Sequence, residues 1–546
     1  DPPMPEPRTL HDAFAATTAA HPDAPFLAVP ARAGRGYLEA GAEIAYAAAA
    51  AAVSALAAAY AAAGYGPGHR VALALDNHPH HFLHLLALNA VGAGAAPYNP
   101  HYLADETAYF LAHSEAVLAV ALPWNAPKLA EAAPDLPILP WTDGADPAAF
   151  APPPPPFPKR GDPPGPKTEA ALFYTSGTTA RPKGCLIDNA YALAGGAWYR
   201  DLGGALTLRP GEERLYNPLP AFHMNGGINT PTAMILTRNC LILPDRFHAA
   251  TWWDDLRATG ATAMHYLGVI PPVLMKAPPS PRDREHGLRF GLGAGIEPSL
   301  HAAFEARFGL PMVEVWGMTE TGRFLAACHE PRGVGARAFG RPTPDFEAIV
   351  ADETGRELPR GTEGELLVRS PGPDPRATFF AGYLKDPEAT EEAWRGGWFH
   401  TGDVVTMDET GMLRFVERAK NIIRRSGENV SAAEVENALI AHPAVAQAAV
   451  LAVPDALRDE EILACLVPAA GAAPSEATAR EVLAETARRL AYYKLPAWVV
   501  WRESLPVTGT QKLRKHAIFA KDEDPRAAPG ALDLRPLKSE LRKRAS

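Results

Sequence analysis

The stretch Tyr174-Thr175-Ser176-Gly177-Thr178-Thr179-Ala180-Arg181-Pro182-Lys183-Gly184 follows the apolar run Ala170-Ala-Leu-Phe173. The run reads as a buried strand. The loop behind it gathers four Ser/Thr hydroxyls, two glycines, an arginine and a lysine into eleven residues. Such a loop can turn backbone N–H groups and hydroxyls toward a polyanion, with Lys183 as a compact cation. Glycine lets the backbone approach that anion closely. A Walker A loop would need G-x-x-x-x-G-K-[ST], and here the lysine precedes Gly184, so this is a different phosphate loop. Taken alone, the stretch also fits a polar surface hairpin.

Upstream, residues 9–150 alternate helical and strand-like segments. A charge-poor, alanine-rich helix ends at Gly64, a turn leads into a strand at 70–75, and a helix at 79–91 leads into residues 95–100. Helix, turn and strand in repetition predict a parallel α/β layer. Residues 44–64 carry no charge, but alanine gives little drive into a bilayer. Val53, Leu56 and Tyr60 fall on one stripe of a soluble helix. His80 and His84 share a helix face with metal-like spacing, but no cysteine or H-E-x-x-H accompanies them, which favours packed or solvated rings. A proline-rich spacer at 151–167 delivers the chain, extended, to the phosphate loop.

Downstream, His223 is followed closely by Gly226-Gly227 after a strand at 214–216. A glycine-rich turn, Gly291-Leu-Gly293-Ala294-Gly295, follows a strand and precedes a helix, where open α/β sheets bind ligands. The strand 312–316 feeds Gly317-Met318-Thr319-Glu320-Thr-Gly322, a carboxylate on a loop at a strand end that suits Mg²⁺, with Trp316 as a flat face for a purine. Short strands then predict a distorted β region to about residue 423, in which Asp403 follows a tight turn and can accept a ribose. A capping box at Ser431-x-x-Glu434 opens an α+β module ending in a loop that presents Lys512. The tail from 521 is expected to fray.

With 546 residues, two to four domains are expected. A net charge of −10 argues against a general nucleic-acid or anionic-membrane surface. Four scattered cysteines point to a reduced, cytoplasmic protein without a structural zinc site, and the N-terminus lacks the pattern of a signal peptide.

Together these stretches resemble the adenylate-forming superfamily of acyl-coenzyme A synthetases, adenylation domains and luciferases, over roughly residues 9 to 520. The resemblance rests on residues 174–184, 218–226, 316–322, 398–403 with Arg418, and 505–512, in fixed order. Gly382-Tyr383, Trp398–Asp403 and Arg424-Arg-Ser-Gly-Glu-Asn429 look most like the coenzyme A ligases, and Pro220-Ala-Phe-His-Met-Asn-Gly226 like their crotonobetaine/carnitine branch. The resemblance implies a large N-terminal domain (1–418) of parallel and mixed sheets with helices and a distorted β-barrel. A mobile α+β domain (419–522) and a charged tail (523–546) complete the chain, with Lys420 as hinge.

It further implies ATP, Mg²⁺ and coenzyme A acting with a small carboxylic acid, in a monomer or homodimer with no integral membrane segment. Thr175, Ser176, Gly177, Thr178, Thr179 and Lys183 would hold the phosphates, and Gly293, Ala294, Gly295, Trp316 and Gly317 would frame the adenine. Thr319 would approach the α-phosphate, Glu320 the metal, and Asp403 with Arg418 the ribose. Lys512 would reach the carboxylate and α-phosphate, and His223 would stand by the thiol path. The acyl pocket would draw on His223, Met224, Asn225, His265, Gly268, Met318 and Arg323, a buried Arg323 favouring an acid with a second anionic or polar group. Coenzyme A would meet Arg425, Ser426, Gly427 and Glu428. The sequence departs from the common pattern at Asn421, Ser426 and Gln511, none of them a charged catalytic group in the pattern's chemistry. Two other functions compete: transfer of the acyl group to an amine or carrier protein, and nucleotide binding without catalysis.

Overall fold

The computed structural model describes residues 6–102, 104–175, 182–268, 270–418, 421–425, 428–455, 459–490, 492–506, 513–520 and 522–545. Among these residues the strands form four sheets. Local chemistry sets the helices that cover them. The helix Pro79–Val91 starts with proline in its first turn, is capped by the His78 ring accepting from the His80 N–H, and stops at Gly92 in the left-handed region. The helix Tyr46–Ala63 likewise stops at left-handed Gly64. By length and composition it could cross a bilayer, yet Val53, Leu56 and Tyr60 form a fully buried stripe against the core.

The seven-stranded sheet centres on the parallel strands Arg70–Ala74, Gly94–Pro97 and Leu118–Ala121. On one flank Glu169–Thr175 pairs with Lys183–Asp188, and Gly382–Tyr383 closes the edge. The proline-rich spacer lies along this layer, where Tyr65 donates to the Pro153 carbonyl and Arg160 N–H to that of Pro67. The eight-stranded sheet carries six parallel strands, among them Arg214–Tyr216, Ala263–Leu267, Phe290–Ala294 and Met312–Gly317, with antiparallel edges at Ala42–Ala45 and Phe324–Ala326. Parallel strands buried on both faces read as short apolar runs, which is how they appear in the sequence.

A five-stranded antiparallel sheet follows, from Ala338–Gly340 to Leu413–Arg418, matching the expected β region. The last sheet, with the helices Ala432–Ile440 and Glu476–Thr486, forms the expected α+β module. The tail departs from expectation. Leu532–Asp533 adds a strand to the module's sheet, and the helix Arg535–Ala545 docks beside it. Leu534 is buried in the module's core, and Lys538 is buried against Glu461 at 3.0 Å. Leu534, with Leu532 and Leu537 packed against the same core, and the Lys538–Glu461 pair hold a segment whose composition alone suggested fraying.

Candidate active site

The expected phosphate loop is flanked by an antiparallel strand pair, in which Thr175 opposes Lys183. Ser176, Gly177, Thr178 and Thr179 lie outside the described residues. At this end of the pair the Lys183 ammonium lies 4.9 Å from the centre of the Tyr383 ring and 3.9 Å from Asp386. The Tyr383 hydroxyl donates to Glu320 Oε1 at 2.8 Å, and the Phe380 N–H donates to the Glu320 carbonyl. One tyrosine thus joins the lysine of the seven-stranded sheet to the carboxylate of the eight-stranded sheet. Burial, reinforced by Glu320, pushes the Tyr383 phenol far above its usual range, so it stays a donor.

Trp316 and Asp403 also meet: the indole Nε1–H donates to Asp403 Oδ2 at 2.8 Å. Asp403 is buried and pairs in backbone register with Arg418. Next to them the turn after Phe290–Ala294 leaves Ala294 and Gly295 exposed, with Gly295 at φ +85°. Its backbone is held from beneath by Glu314, whose carboxylate accepts the N–H groups of Gly295 (2.9 Å) and Ile296 (3.0 Å) and the hydroxyl of Tyr266 (2.7 Å). Burial raises the Glu314 pKa against the pull of these donors. Gly268 packs so tightly on this turn that any side chain there would strike the Gly295 carbonyl. Gly317 is exposed and Thr319 half-buried, its carbonyl accepting from Tyr191 at 2.6 Å.

His223 is half-buried at the start of a π-helical turn, Asn225–Asn229. A Cβ on Gly227 would collide with the Ala221 carbonyl, so the tight turn behind His223 requires glycine. Asn229 ties the turn to the loop after Glu320 by donating to the Gly322 carbonyl at 2.8 Å. Met224 is buried in the core, and Met318 is half-buried against it.

Three residues expected at the ligands have other partners in the structure. Arg323 does not offer its charge to a pocket. Its guanidinium donates to the Asp345 and Ala377 carbonyls and Ser370 Oγ, and lies over the Phe346 and Phe379 rings. Burial lowers its pKa to about 10. His265 does not line the cleft either: it is wholly buried, between Tyr199 and Asn225. Arg425, expected at coenzyme A, is buried against Glu461 at 2.8 Å, in a triad that Lys538 completes. Lys420, Ser426, Gly427 and Lys512 lie outside the described residues, and Glu428 and Arg418 are described by backbone alone. Two residues beyond Lys512, Arg514 pairs with Glu106 at 3.0 Å. Glu106 sits on the helix Ala104–Ser114, whose Tyr109 donates to the Pro182 carbonyl at the end of the phosphate loop.

Sequence reasoning assigned no role to Tyr383, Glu314, Tyr191 or Tyr199. Glu314 carried a signal, as the one charge inside an otherwise apolar strand. Tyr191 and Tyr199 carried none, since helix periodicity marks a buried ring but not where its hydroxyl points, and the Gly382-Tyr383 stretch does not say what the Tyr383 hydroxyl meets.

The chain matches the AMP-binding enzyme family over residues 14–384 and the AMP-binding enzyme C-terminal domain over residues 434–512. It is 32% identical over 531 residues to a sulfoacetate–CoA ligase of Cupriavidus necator, spanning 93% of this chain and 96% of that one. It is 32% identical over 480 residues to a crotonobetaine/carnitine–CoA ligase of Citrobacter koseri, spanning 83% and 88%. Among solved structures, ATP-bound MatB from Rhodopseudomonas palustris superposes with a TM-score of 0.76 at 27% identity, over 93% of this chain and 98% of that chain.

Proposed function

This chain belongs to the AMP-binding enzyme family, and we propose that it is an ATP-dependent carboxylate–coenzyme A ligase that works through an acyl-adenylate. One observation carries the reading. Tyr383 bridges Lys183 and Glu320, so a cation from one sheet and a carboxylate from the loop of another meet at one tyrosine. The Trp316–Asp403 bond stands in the same strand-end region.

The chemistry accounts for these groups. An acid's carboxylate oxygen attacks the α-phosphorus, the bond to the bridging oxygen of pyrophosphate breaks, and acyl-AMP forms. Both partners are anions, so the protein contributes position and charge compensation. Lys183 and the phosphate loop would stabilise the departing pyrophosphate, Asp403 and Arg418 would hold the ribose, and Trp316 with Gly293–Gly295 would frame the base. Glu320 would supply a hard oxygen donor of the kind that Mg²⁺ takes alongside substrate phosphates, its carboxylate oriented by the Tyr383 bond, and Thr319 would approach the α-phosphate. Bound there, the ion would neutralise phosphate charge.

Lys512 would provide the charge on the attacking side. The Arg514–Glu106 pair supports this, because it ties the chain two residues from Lys512 to the helix beside the phosphate loop. The coenzyme A thiol then attacks the acyl carbon and AMP leaves, after rotation of the small domain about Lys420 exchanges the groups at the cleft. The test separates the half-reactions. Lys512→Ala should lower acid-dependent ATP–pyrophosphate exchange by about 10²–10³-fold and spare thioester formation from a supplied acyl-adenylate. Equal loss in both steps would refute the assignment.

A further inference from the structure

The carboxamide of Asn225 has an orientation that can be read outward from a single backbone group. The Leu219 N–H donates to Asn217 Oδ1 at 3.0 Å, so Asn217 must turn its amino group the other way. That amino group lies 3.3 Å from Asn225, which therefore presents its oxygen. The same oxygen receives the Thr230 hydroxyl at 3.1 Å and His265 Nδ1 at 3.0 Å. His265 thus carries its proton on Nδ1 and, as a neutral ring, accepts at Nε2 from the Tyr199 hydroxyl at 2.8 Å. His265 and Tyr199 are both wholly buried, and their rings stack. Three donors on one oxygen prevent the amide from flipping.

What remains of Asn225 is its amino group, with two N–H donors. It meets no acceptor among the described residues, and the residue is half-buried. Asn225 opens the turn that Asn229 ties to the Gly322 carbonyl, and its partner strand Ala263–Leu267 ends beside the Gly295 turn. Building on the ligase reading, we propose that Asn225 selects the acid: its fixed amino group takes carboxylic acids that carry a second, neutral hydrogen-bond acceptor, a carbonyl or hydroxyl oxygen. His265 and Tyr199 are positioning residues that never touch the acid. A second anionic group is disfavoured because neither Arg323, the cation expected to serve it, nor His265 is placed to do so. Arg323 is bonded to carbonyls and Ser370 between two aromatic rings, and His265 is a neutral ring. An amide dipole does not neutralise a full charge removed from water.

The experiment is ATP–pyrophosphate exchange with three kinds of acid matched in chain length: plain alkanoates, oxo-acids with the carbonyl at successive carbons, and dicarboxylates. The unmodified enzyme is expected to favour one oxo-acid over both counterparts by about 10–100-fold in kcat/KM, as a site with an otherwise unmet donor should. Asn225→Leu should bring that ratio toward one. Asn225→Asp, which keeps the side chain's shape but offers no N–H donor, should also shrink the ratio, through the KM of the acid and not that of ATP, a split that a merely destabilised enzyme would not show. Preference for the plain acid or the dicarboxylate, or a ratio untouched in Asn225→Leu and Asn225→Asp, overturns the proposal while leaving the ligase reading intact. Exchange with no acid at all overturns both.

Discussion

His81 should make the protein acid-sensitive, and replacing it should remove part of that sensitivity. The ring is wholly buried, and neither nitrogen meets a partner among the described residues. Burial lowers its pKa from 6.5 to about 3. His80 and His265 also fall to about 3, and His78 to about 4, each chiefly through burial. A folded pKa below the unfolded one means that the unfolded chain binds more protons between the two values. Stability is therefore full above pH 6.5 and is lost as pH falls toward 3–4. At pH 5 the gap to the unfolded value is 1.5 pH units, which corresponds to roughly 2 kcal/mol for each ring. Four rings together approach about 8 kcal/mol, comparable with the ~5–15 kcal/mol that holds a typical domain together. Urea unfolding of the parent and of His81→Leu, at pH 8 and at pH 5, isolates one ring. Relative to the parent, the variant should gain about 2 kcal/mol between the two pH values. An identical difference at both would mean that His81 is not held neutral, and the reasoning would fail.

Two further substitutions probe the corrected residues. Arg323→Leu removes the guanidinium that the Ser370 hydroxyl oxygen and the Asp345 and Ala377 carbonyls accept from, and forfeits two aromatic faces. It should lower unfolding free energy by about 2–4 kcal/mol and leave acid preference unchanged; a changed preference with unchanged stability would return Arg323 to the pocket. Glu461→Gln removes the carboxylate that the buried cations Arg425 and Lys538 share, and should destabilise the C-terminal module by about 3–5 kcal/mol. Lys538→Met, which leaves the Arg425–Glu461 pair whole, should cost less. Thermal unfolding of the pair of variants would contradict the triad if Lys538→Met proved the more damaging.

Much of the fold was legible because it is written in short-range terms. The helix Pro79–Val91 and the strand Arg214–Tyr216 appear where the sequence marks them, since a proline, a glycine or an apolar run bounds each. The ordered tail was not legible, because Leu534 and Lys538 find their partners across the sheet and not in neighbouring sequence. In the site, motifs named Lys183, Glu320, Trp316 and Asp403, but spacing cannot say what joins them. Tyr383 does so through the position of the strand Gly382–Tyr383 beside Lys183–Asp188. Arg323 and His265 were misread for a related reason. Their residue types suggest a polar pocket, while their hydrogen bonds, fixed by tertiary packing, turn one to the β region and the other to Tyr199 and Asn225.

The central claim is that an acid's own oxygen bonds to the α-phosphorus of ATP. Supplying an accepted acid labelled with ¹⁸O in its carboxylate, together with ATP, Mg²⁺ and coenzyme A, follows that oxygen directly. One labelled oxygen should leave in AMP, with unlabelled pyrophosphate as the other product. Label in inorganic phosphate beside ADP, or unlabelled AMP, would contradict the account.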